Sequence, residues 1–136
     1  MSQAIIRAAF ETRLKTWADA QTPAIPIAWP NVAFTPPAGR YIRATLLPAR
    51  TLSESLDRVH RVYTGVFQAS LCMPLNTGAG AAETLVTSLD TAFTGTSFTQ
   101  SGVRVYMVSP MSAAPGITEP DRYVVPVSAQ YRADTV

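Results

Sequence analysis

Histidine, cysteine and lysine each occur once in this 136-residue chain, as His60, Cys72 and Lys15, and each scarcity removes a class of chemistry. One imidazole cannot make a histidine metal cluster, and any nucleophile–base pair would depend on that single ring. One thiol cannot close an intramolecular disulfide. Charged residues are only 15% of the chain, and its nine acids are dispersed. The nearest groupings, Glu54 with Asp57 and Glu119 with Asp121, flank turns, where carboxylates cap or stay solvated. Neither group builds a hydrolase or a magnesium site. No apolar run approaches the roughly 18 residues of a membrane helix. No N-terminal stretch has the basic-then-apolar layout of a signal peptide. A soluble chain, made and folded in a cytoplasm, is the expectation.

The remaining chemical signals are weak. Gly78-Ala79-Gly80-Ala81-Ala82 has half of a phosphate-binding glycine loop, without the Lys-Ser/Thr of a P-loop or the third glycine of a dinucleotide fingerprint. It reads as a loop-to-helix junction. His60 reads as a surface strand histidine. Cys72 has no Lys or Arg beside it in sequence and reads as a buried structural thiol. No catalytic residue, metal or cofactor is expected.

What the chain does have is apolar content of 47%, enough over 136 residues for one core. One domain over 1–133 with a flexible tail at 134–136 is expected. Ten of the eleven basic residues are arginine and the net charge is only +2. Arginine favours protein interfaces and phosphate, and a sparsely charged surface suits a subunit that assembles.

Ser2 can cap a helix running to about Ala20, with Ile6, Phe10, Leu14 and Trp17 on one face. Pro23 and Pro26 stop it, and Ile25 to Ala28 reads as a short edge strand. From Trp29 to Pro37 the prolines forbid a helix and give an extended arm. It leads into a strand, Tyr41 to Leu47, whose Ile42, Ala44 and Leu46 form one apolar face. A longer strand, Arg58 to Cys72, with a bulge or bend at Gly65, pairs with it as an antiparallel hairpin with a flexible tip. That pairing would bring Arg43 near Arg61 and set Arg50 and Arg58 beside the tip. A second helix, Ala79 to Phe93, follows and ends at Gly95. Then come a strand at Val103–Ser109, a loop from Pro110 to Pro120, and a strand at Arg122–Tyr131 with Pro126 at an edge or bulge. The fold class is α+β: a single mostly antiparallel sheet with two amphipathic helices packed on one face.

Taken in order, several pieces resemble one family of small tailed-phage and prophage proteins, the tail terminators. They are the helix ending at Trp17, the arm Trp29-Pro30-Asn31-Val32-Ala33-Phe34-Thr35-Pro36-Pro37, and the strand end Thr45-Leu46-Leu47-Pro48-Ala49. The segment Gly65-Val66-Phe67-Gln68-Ala69-Ser70-Leu71, the Gly78-Ala79-Gly80 opening and Asp121-Arg122-Tyr123-Val124-Val125-Pro126-Val127 complete the set. The resemblance spans nearly the whole chain. It implies a non-enzymatic virion tail subunit, assembled in the host cytoplasm as a ring, hexameric in the lambda-like members. The ring would cap the tail tube, end its polymerisation and offer the surface for head attachment. Implied partners are further copies of the chain, the tail tube protein, head–tail connector proteins, and genomic DNA passing through the lumen without specific binding; no membrane is implied.

The family has no catalytic motif to carry over. Candidate contact residues are Trp29, Phe34, Pro36 and Pro37 on the arm, reaching a neighbour, and Arg50, Arg58 and Arg61 on the tip, facing the tube or lumen. Two other readings stand beside this one. One is a head–tail connector or neck subunit. The other is a small nucleic-acid-binding α+β module that meets phosphates through Arg40, Arg43, Arg50, Arg58 and Arg61. Base readout is unsupported, since no helix-turn-helix, zinc finger or aromatic RNA-binding strand motif is present.

Overall fold

The computed structural model describes residues 3–53, 56, 61–76, 78–93 and 97–135. Helix α1 spans Gln3–Asp19 and buries Ile6, Ala9, Phe10, Leu14, Trp17 and Ala18, the three-and-four spacing of one helical face. Its outer surface carries the i,i+4 pairs Arg7–Glu11 at 3.9 Å and Lys15–Asp19 at 3.0 Å, each worth a few tenths of a kcal/mol. The expected cap at Ser2 lies outside the described residues. Helix α2, Gly80–Phe93, buries Ala82, Leu85, Leu89 and Phe93. The Trp17 indole donates to Ser88 Oγ at 3.0 Å and ties α1 to α2.

Nine strands form one sheet: β1 (Ile27–Ala28), β2 (Tyr41–Pro48), β3 (Leu52–Ser53), β4 (Arg61–Pro74), β5 (Ser97–Gln100), β6 (Val103–Met107), β7 (Ser112–Ala113), β8 (Ile117–Thr118) and β9 (Arg122–Thr135). The order is β1-β2-β4-β9-β6-β5, with β3 added to β4 and β7 and β8 added to β9. Among the described residues only β1, on β2, pairs in parallel. All the other pairings are antiparallel.

Period-two alternation divides the sheet into two faces. Ile42, Ala44 and Leu46 of β2, Phe67, Ala69 and Leu71 of β4, and Val125, Val127 and Ala129 of β9 share one core with the buried faces of both helices. At its centre Phe10 stacks on Phe67 at 4.6 Å and meets Tyr131 edge-on at 5.0 Å. Among the described residues no helix lies over the opposite face. There a small cluster, Tyr41, Cys72 and Val124, is buried with Phe34 packed against it.

Several local expectations change. Gly65 is no bulge: it pairs in unbroken register with Pro48 on one side and Tyr131 on the other. A Cβ there would stand 2.5 Å from the Leu47 carbonyl oxygen and 2.7 Å from the Tyr131 hydroxyl, so the absent side chain permits a close approach. Strand β9 runs on to Thr135, with Asp134 opposite Val62 and Ala133 fully buried. The tail expected from 134 is therefore strand at 134 and 135. Pro126 sits inside the sheet, not at its edge. Its carbonyl accepts from the Ala114 N–H at 2.8 Å, so its missing N–H falls on that same side, in the gap between β7 and β8. A hairpin that the sequence reading did not give, β5–β6, turns at Ser101 and Gly102, both with positive φ.

Candidate functional site

The arm folds back around the β1–β2 edge of its own sheet. Trp29 packs partly buried against the main core. Phe34 lies 5.3 Å from the Tyr41 ring, half-covering the cluster that hides Cys72. Pro36 is exposed and Pro37 half-buried. The Arg122 guanidinium donates to the Pro37 carbonyl and sits 5.5 Å over the Tyr41 ring. Its Nε is buried without a hydrogen-bond partner among the described residues. Arg40 adds a second tie, donating to the Pro23 carbonyl at 3.1 Å.

Next to this latch, Arg43 pairs with Glu119 at 3.2 Å and lies 5.9 Å from the Tyr41 ring. Glu119 first, then Tyr41, raises the Arg43 pKa and holds the guanidinium charged. The fold gives Cys72 two cationic neighbours that adjacent sequence did not show, Arg43 and Arg122. Burial outweighs them, and the thiol is pushed up. It is a free, fully buried thiol, the setting of a structural cysteine.

The other end of the sheet is the tip. Beyond Pro48, β2 leaves β4, and the chain returns as β3 against Leu52↔Val62 and Ser53↔Arg61. Arg50 and Arg61 are exposed. Leu47 and Leu52 are nearly half-exposed and Leu56 fully so. Arg58, His60, Glu54 and Asp57 lie outside the described residues. Arg43 and Arg61 do not meet: Arg43 is opposite Ser70 and Arg61 opposite Ser53. Nine positions along β4 separate them, about 30 Å at the rise of a strand. The single arginine patch expected of a nucleic-acid path is therefore split between the two ends.

Sequence reasoning also missed apolar groups on the open face. Val66 and Val108 line a hollow of about 290 Å³ there, with Leu47 exposed on β2 and Tyr106 on β6. The signal was available in the alternation, because Leu47 follows the inward Leu46 and must point the other way. Among the described residues no three metal-ligating side chains converge.

The described residues thus offer contact surfaces, and one comparison gives them a context: the family described as phage tail terminator protein matches residues 5–131. The chain belongs to the phage tail terminator family. A solved structure, 43% identical, covers 98% of this terminator-family chain and 96% of its own, with a TM-score of 0.82. That structure bears only a sequence identifier for a name, so it adds shape and not function. No curated protein matches the chain. The terminator family is a structural family and not an enzyme family, and membership implies contact with other tail or head components. Among the described residues no helix is long and apolar enough to cross a membrane.

Proposed function

We propose that this terminator-family chain forms a ring, six-membered as in the lambda-like members, that caps the tail tube, ends its polymerisation and presents the surface to which the head attaches. The match over residues 5–131 carries this reading. Its physical support is a surface unlike that of a solitary protein: Val32, Leu47, Leu52, Leu56, Tyr106, Val108 and Ile117 are all exposed, while charge is too sparse to compensate. A ring needs head-to-tail contacts between unlike surfaces. The arm at one sheet edge, with Trp29, Phe34, Pro36 and Pro37, supplies one such surface. The tip, with Arg50, Arg61 and its leucines, faces the tube or the lumen, where DNA passes without specific binding.

A stretch stiffened by Pro30, Pro36 and Pro37 loses less entropy on docking than a flexible one. Deleting the gene from the phage tests the role. Overlong tails are the expected result. Tails of normal length that fail to join heads would instead make the chain a neck subunit.

A further inference from the structure

The two edges of the sheet are treated differently. On the β1 side the chain is guarded by Pro26, by Pro30 and by the arm folding back. On the other side β5 ends the sheet, with no strand beyond it among the described residues. Its sequence, Ser-Phe-Thr-Gln, holds no proline and no charge, the usual devices that stop a free edge from pairing.

The β5–β6 hairpin fixes which backbone groups are free. A two-residue turn with positive φ at both Ser101 and Gly102 is a type I′ turn. Its closing pair, Gln100 and Val103, exchanges hydrogen bonds, and the pattern alternates from there. The backbone groups of Phe98 and Gln100 therefore point at β6, and those of Ser97 and Thr99 point outward. Neither Ser97 nor Thr99 has a backbone partner on that side among the described residues.

Beside this edge lies a groove of about 510 Å³ between α1 and β5, walled by Ala9, Arg13, Trp17, Ala92 and Phe98. The Arg13 guanidinium is fixed over Phe98 at 4.9 Å, and its Nε donates to the Ala92 carbonyl at 2.8 Å. An open strand edge next to a largely apolar groove is the arrangement that receives an extended segment. Backbone bonds supply the affinity, and alternate side chains enter the groove.

The chain carries a segment of that description. The arm is not extended from its start: Pro30 and Asn31 form a turn, with positive φ at Asn31 and the Val32 N–H donating to the Trp29 carbonyl at 3.3 Å. Beyond the turn the chain from Val32 to Thr35 runs free of proline as far as Pro36. All are exposed except the half-buried Phe34, and Val32 is 58% exposed. Ala33, Phe34 and Thr35 have no backbone partners among the described residues. The segment cannot serve its own β5, because five strand spacings, about 24 Å, separate β1 from β5.

We infer that Val32–Thr35 of one copy adds as a strand to β5 of the next, with Val32 directed into the groove between α1 and β5. This rests on the ring reading above. Arm and groove lie at opposite edges of one sheet, so each copy gives with one edge and receives with the other. That is the heterologous contact a closed ring requires.

Two variants test it in a Cys72→Ala background. Chains carrying Val32→Cys and chains carrying Thr99→Cys, mixed under ring-forming conditions with tail tube protein, should cross-link through a short thiol linker only when both are present. A chain with both substitutions should give a ladder up to the ring size. Thr99→Pro removes the outward N–H at a position where an edge strand tolerates proline. It should leave the circular dichroism and melting of the free chain unchanged and raise the concentration for half-assembly about tenfold, the loss expected for one blocked hydrogen bond. Rings that form without cross-links, cross-links to tube protein alone, or normal assembly of both Thr99→Pro and Val32→Asp would overturn the inference and leave the ring reading standing. Failure of the unmodified chain to form any ring would overturn both.

Discussion

Replacing Gly65 by alanine should destabilise the chain by about 1–2 kcal/mol, and the sum can be followed atom by atom. The new Cβ would lie 2.5 Å from the Leu47 carbonyl oxygen, 2.7 Å from the Tyr131 hydroxyl and 2.9 Å from Tyr131 Cε1. The first is backbone held in the β2–β4 ladder. The other two belong to a ring only 1% exposed and wedged edge-on against Phe10. At such distances backbone or ring must shift, and overpacking of this kind costs about 1–3 kcal/mol. Against it stands the smaller unfolded-state entropy of alanine, about 0.4–1 kcal/mol in its favour. For a chain of this size the net loss corresponds to a fall in Tm of about 3–8 °C.

Urea unfolding followed by circular dichroism, with matched thermal melts, measures it. Tyr131→Phe provides the internal control. The hydroxyl it removes is buried with no hydrogen-bond partner among the described residues, so this change alone should be neutral or slightly stabilising. In the double variant the loss should shrink, giving a coupling energy above about 0.5 kcal/mol. A neutral or stabilising Gly65→Ala, or purely additive effects, would refute the claim that close approach explains the glycine.

Ser88→Ala leaves the Trp17 indole N–H without its acceptor and should cost about 1 kcal/mol in denaturant titration. Cys72 should be almost inert to a thiol reagent in the native chain. Phe34→Ala, which uncovers it, should speed its modification about tenfold, matching ~1.4 kcal/mol of lost packing at a half-buried phenyl. The stability contributed by Cys72 and Tyr131 should be constant up to about pH 9 and fall as pH rises beyond it. The folded chain keeps the Cys72 and Tyr131 protons, with pKa values raised by burial above the ordinary 9.0 and 10.0, after the unfolded chain has released them, so the native state binds more protons there. Melts from pH 7 to 11 check this, and Cys72→Ala and Tyr131→Phe should each flatten the decline.

The helices and the three long strands were legible because their side chains repeat at the periods of helix and strand: Ile6 to Trp17, Ala82 to Phe93, Ile42 to Leu46, and the alternation through β4 and β9. Of the short strands β1 was legible, inside the edge strand read at Ile25 to Ala28, but β7 and β8 were not. β7 and β8 have two residues each and form only because β9 offers them an edge, information that no local window holds. β5 was missed because Ser-Phe-Thr-Gln has no alternation long enough to stand out. The family resemblance was carried by ordered pieces of sequence. The two ends of the contact surface depend on register, which separates Arg43 from Arg61 and sets Arg43 against Glu119. A hairpin drawn without its register cannot supply that.

Electron microscopy of tail tubes polymerising with and without the purified chain tests the central claim most directly. Closed rings of this chain seated on one end of tubes that then stop growing are the predicted result. Tubes that lengthen unchanged, with the chain monomeric and unbound at every concentration, would contradict it.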